Sequence, residues 1–345
     1  MIKILDVIDD STYSDISGFK DLSFYHSKQW HNVLSSAFNW KVSAIVAVSD
    51  GEIVAFLPFI NKRRLMSKKN ICLPLSHKLS IAYDNKFIAS LDKILNFIEK
   101  RFVNFEIHSY LKTNNLLNVH KNYITHLNLK KYNTTDSLYK SLDYKSIKYM
   151  INKAKKNNIL IDSSFSKKLF GDFYELELLT RHHQGAPIYP ENFFELIFDN
   201  FKYKQDSIDI RIAYMNDAPI SGSIILYSGK IAIYGYSASV NNRAIKKLGA
   251  NELVLWESIE NAFNKGYSVF DFGTTPKHLI GLLKYKEKWG GESTKLNYSF
   301  LNKKNVGNGS VNRESKIVFL ISAVLKKLPV SLFKKISPYL LKNAV

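Results

Sequence analysis

The spacing of apolar positions along the chain changes period several times, and each change marks an element. From Ser27 to Phe38, the residues Trp30, Val33, Leu34, Ala37 and Phe38 recur at helical spacing and share one face. Val42–Ile60, VSAIVAVSDGEIVAFLPFI, then reads as strand, Ser-Asp-Gly turn, strand, which predicts a β-hairpin. The same succession returns later. Glu191–Phe201 sets Phe194, Ile197, Phe198 and Phe201 on one helical face behind Pro190, a residue suited to a first helical turn. Ile210–Tyr227, IRIAYMNDAPISGSIILY, follows as a second hairpin with Asn-Asp-Ala-Pro at its turn. Aligning the two turns sets Asp50 over Asp217 and Ile53 over Ile220. Helix then hairpin, twice, predicts a duplicated α/β unit.

Beyond the second hairpin the pattern predicts a strand over Lys230–Ser239, the loop VNNRAIKKLGAN and a helix reaching Asn264, in which Leu248, Leu255, Ile259 and Ala262 share a face. Gly266 suits a helix stop. A strand over Val269–Phe272, a further helix and a last strand over Lys295–Phe300 complete the series. Lys140 to Asn157 predicts a basic helix between the halves, and Asn302–Asn312, polar with two glycines, predicts a linker. Glu314–Lys342 reads as one or two basic amphipathic helices broken near Pro329 and Pro338. The expected division is 1–160, 161–301 and a linker with a basic helical tail over 302–345. The fold class is mixed α/β.

Composition supports folded domains. Of 345 residues 46% are hydrophobic, enough for a sizeable core, so disorder is excluded for most of the chain. Cys72 is the only cysteine, which excludes an intramolecular disulfide and a cysteine-based zinc site and fits a reducing cytoplasm. MIKILDVIDDSTYS is too short and too acidic for a secretory signal. No apolar run approaches the ~20 residues needed to cross a bilayer. The formal charge of +19 points to polyanionic partners: nucleic acid, phosphorylated substrates or anionic lipid. Two blocks concentrate it. Asn302–Val345 holds nine basic residues and one acid, Glu314, and Lys140–Lys156 holds six lysines against Asp143.

The candidate chemistry lies in the second half. The loop Lys246-Lys247-Leu248-Gly249-Ala250-Asn251 precedes a helix, where free N–H groups and the helix dipole can bind an anion. It is either such a site or an ordinary basic loop. The stretch Val269–Gly291, VFDFGTTPKHLIGLLKYKEKWGG, carries Phe270-Asp271-Phe272-Gly273, then Tyr285-Lys286 and Trp289-Gly290. Arg181-His-His-Gln-Gly185-Ala-Pro187 comes before Phe193-Phe194. With these segments, residues 20–300 resemble the FemAB-like branch of the GNAT acyltransferase superfamily, and also CelD-like acetyltransferase domains associated with envelope polysaccharides. Tyr285 stands where that branch has Phe, and Asn251 departs from the superfamily's acetyl-CoA signature Arg/Gln-x-x-Gly-x-Gly/Ala, which Lys246 and Gly249 fit.

The resemblance implies two tandem GNAT-like domains and transfer of an acyl or aminoacyl group to an amine. It makes Lys286 the group that stabilises the oxyanion, with Tyr285 and Asp271 beside it. Asp271 can act as a base or cap its turn, and capping is the simpler role. On a strand, Lys284 and Lys288 would share the face of Lys286. Lys246, Lys247, Gly249 and Asn251 are the donor-binding candidates, with Gly249 letting a phosphate approach the backbone. Arg181, His183, Tyr189 and Tyr236 are the acceptor-binding candidates, and Arg181–His183 can equally be a helix-ending cluster. No third histidine or carboxylate sits at metal-ligand spacing near His182 and His183.

The expected function is amide-forming transfer to an amino sugar or peptide of a cell-envelope glycan precursor, without a permanently bound cofactor. The donor is acyl-CoA or aminoacyl-tRNA. The alternative is a non-catalytic GNAT-fold protein that binds nucleic acid or a lipid-linked sugar. Location is cytoplasmic, with the tail 314–345 either a removable anchor on an anionic inner-membrane face, through Leu325, Leu328, Leu332 and Ile336, or a helix packed on its own protein.

Overall fold

Both expected hairpins form, and they share geometry down to an irregularity. The computed structural model describes residues 1–64, 67–111, 116–302 and 319–344. The described residues divide into two compact units, drawn from Met1–Tyr123 with Lys295–Asn308 and from Ile124–Thr294 with Gly309–Val345.

The first unit runs β1 (Ile2–Leu5), α1 (Asp10–Asp15), α2 (Lys28–Phe38), β2 (Val42–Ser49), β3 (Glu52–Arg64), β4 (Ser67–Ile71), β5 (Ala82–Tyr83), α3 (Ser90–Arg101), β6 (Asn104–Ile107) and the start of β7 (Leu117–Asn128). The second holds the end of β7, then α4 (Thr135–Ser141), α5 (Tyr149–Lys156), β8 (Leu160–Asp162), α6 (Lys167–Gln184), α7 (Phe193–Phe201), β9 (Ile208–Met215), β10 (Ala218–Ser228), β11 (Ile231–Ser239), α8 (Arg243–Lys246) and α9 (Ala250–Asn264). It continues with β12 (Val269–Pro276), α10 (Ile280–Glu287), the start of β13 (Glu292–Asn302), α11 (helical residues 319–325) and α12 (Val330–Ala344). From Lys295 onward β13 belongs to the first unit, antiparallel to β6. Strand order is β1-β2-β3-β4-β6-β13-β7 in the first unit and β7-β12-β11-β10-β9-β8 in the second.

The duplication is local and specific. β2 and β9 have the same length, and β3 and β10 begin after two-residue turns, Asp50-Gly51 and Asn216-Asp217, whose residues all have positive φ. Such turns match the twist of the strands they join. In each hairpin the register slips at the third residue of the second strand, Val54 and Ile220. The turns therefore align Asp50 with Asn216, one position from the alignment based on the two aspartates. Asn216 supplies the left-handed first position that Asp50 supplies in the other hairpin.

Three other expectations change. The segment after residue 123 belongs to the second unit: Leu127, Leu129, Leu138, Leu142, Ile147, Ile151 and Ala154 are buried in one core with α9. The predicted basic helix over Lys140–Asn157 is α4, a π-helical turn over Tyr144–Lys148 and α5, because Asp143 caps a new start by accepting from Ser146 N–H at 2.8 Å. In the tail, Pro338 lies inside α12 and does not break it; residues 314–318 lie outside the described ones.

Candidate active site

β11 and β12 part soon after they meet. β11 and β12 are parallel and pair only through Ile231, Ala232 and Ile233 with Val269, Phe270 and Asp271. Just past that point Gly235 forms a bulge, since Ile225 faces Tyr234 while Ile224 faces Tyr236. A bulge bends its strand and raises its twist, and the pairing of β11 with β12 goes no further than Ile233 and Asp271. A Cβ on Gly273, in β12, would already touch the Tyr234 carbonyl of β11 at 3.4 Å.

Lys286 projects from α10 into this region. It is 7% exposed, and its Nζ donates to the Gly273 and Thr274 carbonyls, each at 3.1 Å. Two of three ammonium hydrogens are thereby fixed, and one remains for a ligand. Burial pulls its pKa down to about 8, and the Asp271 carboxylate opposes that fall. The segment is helical, so Lys284 and Lys288 lie on the side away from Lys286 and are exposed. Tyr285 also turns away. It packs with Trp289 against α9, and its hydroxyl is hydrogen-bonded to Glu252, whose carboxyl is pushed up by burial.

Asp271 is buried, and its Oδ1 accepts from Gly273 N–H at 2.8 Å, holding a left-handed glycine within β12 whose carbonyl receives Lys286, where the sequence predicts a turn. Its Oδ2 lies 3.5 Å from His126 Nε2. His126 also lines a cavity of about 330 Å³ with Asn128, Lys130, Ser268 and Glu292. It therefore links open space to the Asp271–Gly273–Lys286 series. Sequence reading missed His126, which is one of nine histidines on an ordinary alternating strand, 145 positions before Asp271.

The acceptor candidates separate into two groups. Arg181, at the end of α6, donates from Nε to Glu177 at 2.6 Å and from Nη2 to the Tyr189 hydroxyl at 3.3 Å, and the Tyr189 and Tyr236 rings meet edge to face. Glu177 is fully enclosed and was also missed, although its position one turn before Arg181 could have revealed the pair. We expect Glu177→Ala to destabilise the protein by about 3 kcal/mol in urea unfolding, because it strands a largely buried guanidinium. Glu177→Gln should recover most of that loss.

His183 belongs instead with the loop before α9, which holds the donor candidates. Asn241 donates from Nδ2 to His183 Nδ1 at 2.9 Å and accepts from Lys246 Nζ at 2.5 Å. A second bridge runs through Ser239: Thr180 Oγ1 donates to its carbonyl at 3.0 Å, and Asn251 Nδ2 reaches its hydroxyl at 3.5 Å. The end of α6 and the loop before α9 are thus one polar assembly. Lys246 and Lys247 are exposed. Gly249 is the left-handed cap of α9, and a Cβ there would fall 2.1 Å from the Met150 carbonyl of α5. Packing against α5 therefore requires this glycine, whatever it offers a phosphate. Among the described residues no group of three His, Cys, Asp or Glu could hold a metal ion, and no helix is long and apolar enough to cross a membrane.

A mixed sheet whose parallel strands part at a bulge, a basic loop before the following helix and a buried lysine beside the parting strands all lie in one stretch of the second unit. Residues 161–287 match the family model for the acetyltransferase (GNAT) domain. That match covers the second unit's α6 to α10, and the fold of the whole chain is shared with solved structures of low sequence identity. The structure is similar to that of FemX, with 12% identity, a TM-score of 0.65 and coverage of 93% of this chain and 100% of that one. It also resembles a protein of unknown function from Bacteroides thetaiotaomicron (10% identity, TM-score 0.57, 87% and 99% covered). A third neighbour is the C-terminal domain (DUF2156) of an Agrobacterium fabrum protein assigned as a lysylphosphatidylglycerol synthetase (10% identity, TM-score 0.55, 91% and 97% covered). No curated protein matches the sequence.

Proposed function

We propose that this acyltransferase forms an amide by moving an aminoacyl group from aminoacyl-tRNA to an amine of an amino sugar or peptide in a cell-envelope glycan precursor, in the cytoplasm. The buried ammonium of Lys286, which gives two hydrogens to the Gly273 and Thr274 carbonyls beside the point where β11 and β12 part and keeps a third for a ligand, carries the reading. Amine attack on the donor's ester carbonyl forms a C–N bond and places negative charge on the carbonyl oxygen, which Lys286 stabilises. Collapse breaks the C–O bond, and the proton lost by the amine leaves with the ribose hydroxyl. No separate base is required.

A polyanionic donor is supported by what surrounds the donor loop. Met150 abuts Gly249, and on the same segment Lys145, Lys155 and Lys156 are exposed, with Tyr144 and Tyr149 as exposed rings between lysines. Basic side chains interleaved with open aromatic faces suit a nucleic-acid strand. The second reading, an acyl-CoA donor, is favoured by the match of residues 161–287 to an acetyltransferase model.

Amino-sugar and peptide acceptors would be incubated with tRNA charged with radiolabelled amino acids, or with labelled acetyl-CoA. Label in an amide product from charged tRNA alone is expected, and label from acetyl-CoA alone would replace the donor assignment. No product from either would overturn the reading. Lys153→Glu with Lys155→Glu and Lys156→Glu should weaken tRNA binding and lower its salt slope by about one for each phosphate the protein no longer neutralises.

A further inference from the structure

The tail meets its own unit through one side only. Leu325 and Phe333 are buried, His182 Nε2 donates to the Leu328 carbonyl at 2.8 Å, and Ser337 Oγ accepts from Ile188 N–H at 2.7 Å. Lys334 pairs with Glu191 at 2.6 Å. The sequence-based stripe of Leu325, Leu328, Leu332 and Ile336 is therefore divided: its first member faces the protein core and its last two face outward. Removing 314–345 would uncover Phe333's site and the Ile188 N–H, so a truncated chain is not expected to stay as stable as the whole.

The outward side is apolar and basic. Phe319 is 74% exposed, Leu320 64% and Val324 58%, and on α12 Leu332, Ile336 and Tyr339 follow at i, i+4 and i+7 along one flank. Lys326, Lys327 and Lys335 are exposed among them, and no acidic residue occurs between Phe319 and Ala344. An exposed apolar concentration of this kind marks an interaction surface. We propose that the outer face of α11 and α12 docks on a membrane surface containing anionic lipid. The apolar side chains would enter the headgroup boundary while the lysine ammonium groups meet lipid phosphates. A protein partner would have to supply the same all-negative, apolar-accepting surface, which an anionic bilayer presents everywhere.

The whole protein would be sedimented with phosphatidylcholine vesicles, with and without phosphatidylglycerol. Binding should require phosphatidylglycerol and weaken as salt rises. Phe319→Ser, Leu320→Ser and Val324→Ser combined, and separately Lys326→Glu with Lys327→Glu, should each weaken it by about tenfold or more. All these side chains are exposed, and Lys326→Glu keeps the Cγ that Lys326 sets beside Gly185, so the thermal midpoint should not move. Failure of the wild type to bind, or equal binding by either variant, would overturn the proposal. So would a dimer abolished by the serine variant in the absence of any vesicle binding, which would make a second copy the occupant.

Discussion

Lys286→Met is expected to lower turnover by about 10²- to 10³-fold, the loss typical of removing one oxyanion donor, with little change in the thermal midpoint. Two effects on stability oppose each other. The variant loses hydrogen bonds from an ammonium to the Gly273 and Thr274 carbonyls, each worth about 1.5–3 kcal/mol when charged. It also removes a buried charge whose pKa lies at about 8 instead of the ordinary 10.5, a desolvation cost of roughly 3 kcal/mol. Between these two values the unfolded chain binds this proton more than the folded one does, so wild-type stability rises with pH across the window and the methionine variant's does not. Below pH 8 the cost is fully present.

Turnover has the opposite dependence if the ammonium is the working form: it falls as pH passes about 8. A neutral Lys286 acting as a base would make turnover rise there. A pH profile therefore separates the two roles, and a variant that keeps full turnover removes Lys286 from the chemistry altogether.

Gly249→Ala is expected to cost about 2–5 kcal/mol of stability, combining left-handed strain with overpacking. Its φ is +86°, and the added methyl would fall 2.1 Å from backbone, which cannot rotate aside as a side chain can. α5 would have to move off α9, disturbing Ile151 and Ala154 in the shared core. The measurement is the urea midpoint together with donor KM. A wild-type midpoint with a raised KM would show that the glycine serves the donor and not the helix contact.

Local rules made much of the second unit legible. The helix and hairpin before residue 230 and the glycine stop at Gly266 follow from side-chain period and turn chemistry and form where those rules place them, whereas the strand expected over Val269–Phe272 runs on to Pro276, through the turn expected at residues 271–273. The motif around Tyr285-Lys286 pointed to one lysine among many. It could not separate the two neighbours by role: a helical turn sends Lys286 to the Gly273 and Thr274 carbonyls and Tyr285 to Glu252, whereas a strand would have grouped Lys286 with Lys284 and Lys288. The boundary near residue 160 misled because Leu138, Leu142 and Ile147 carry apolar spacing that does not say which half they cover.

The sequence by itself determined the duplicated helix–hairpin units, the excess of positive charge and the segment that holds Lys286, because each is written in short-range spacing or composition. Only the tertiary structure decided that Lys286 is buried, that His126 stands against Asp271, that Asn241 and Ser239 join α6 to the loop before α9, and which side of the tail faces outward. Those outcomes depend on what covers a side chain, and the covering residues come from elements far away along the chain whose packing no local period encodes.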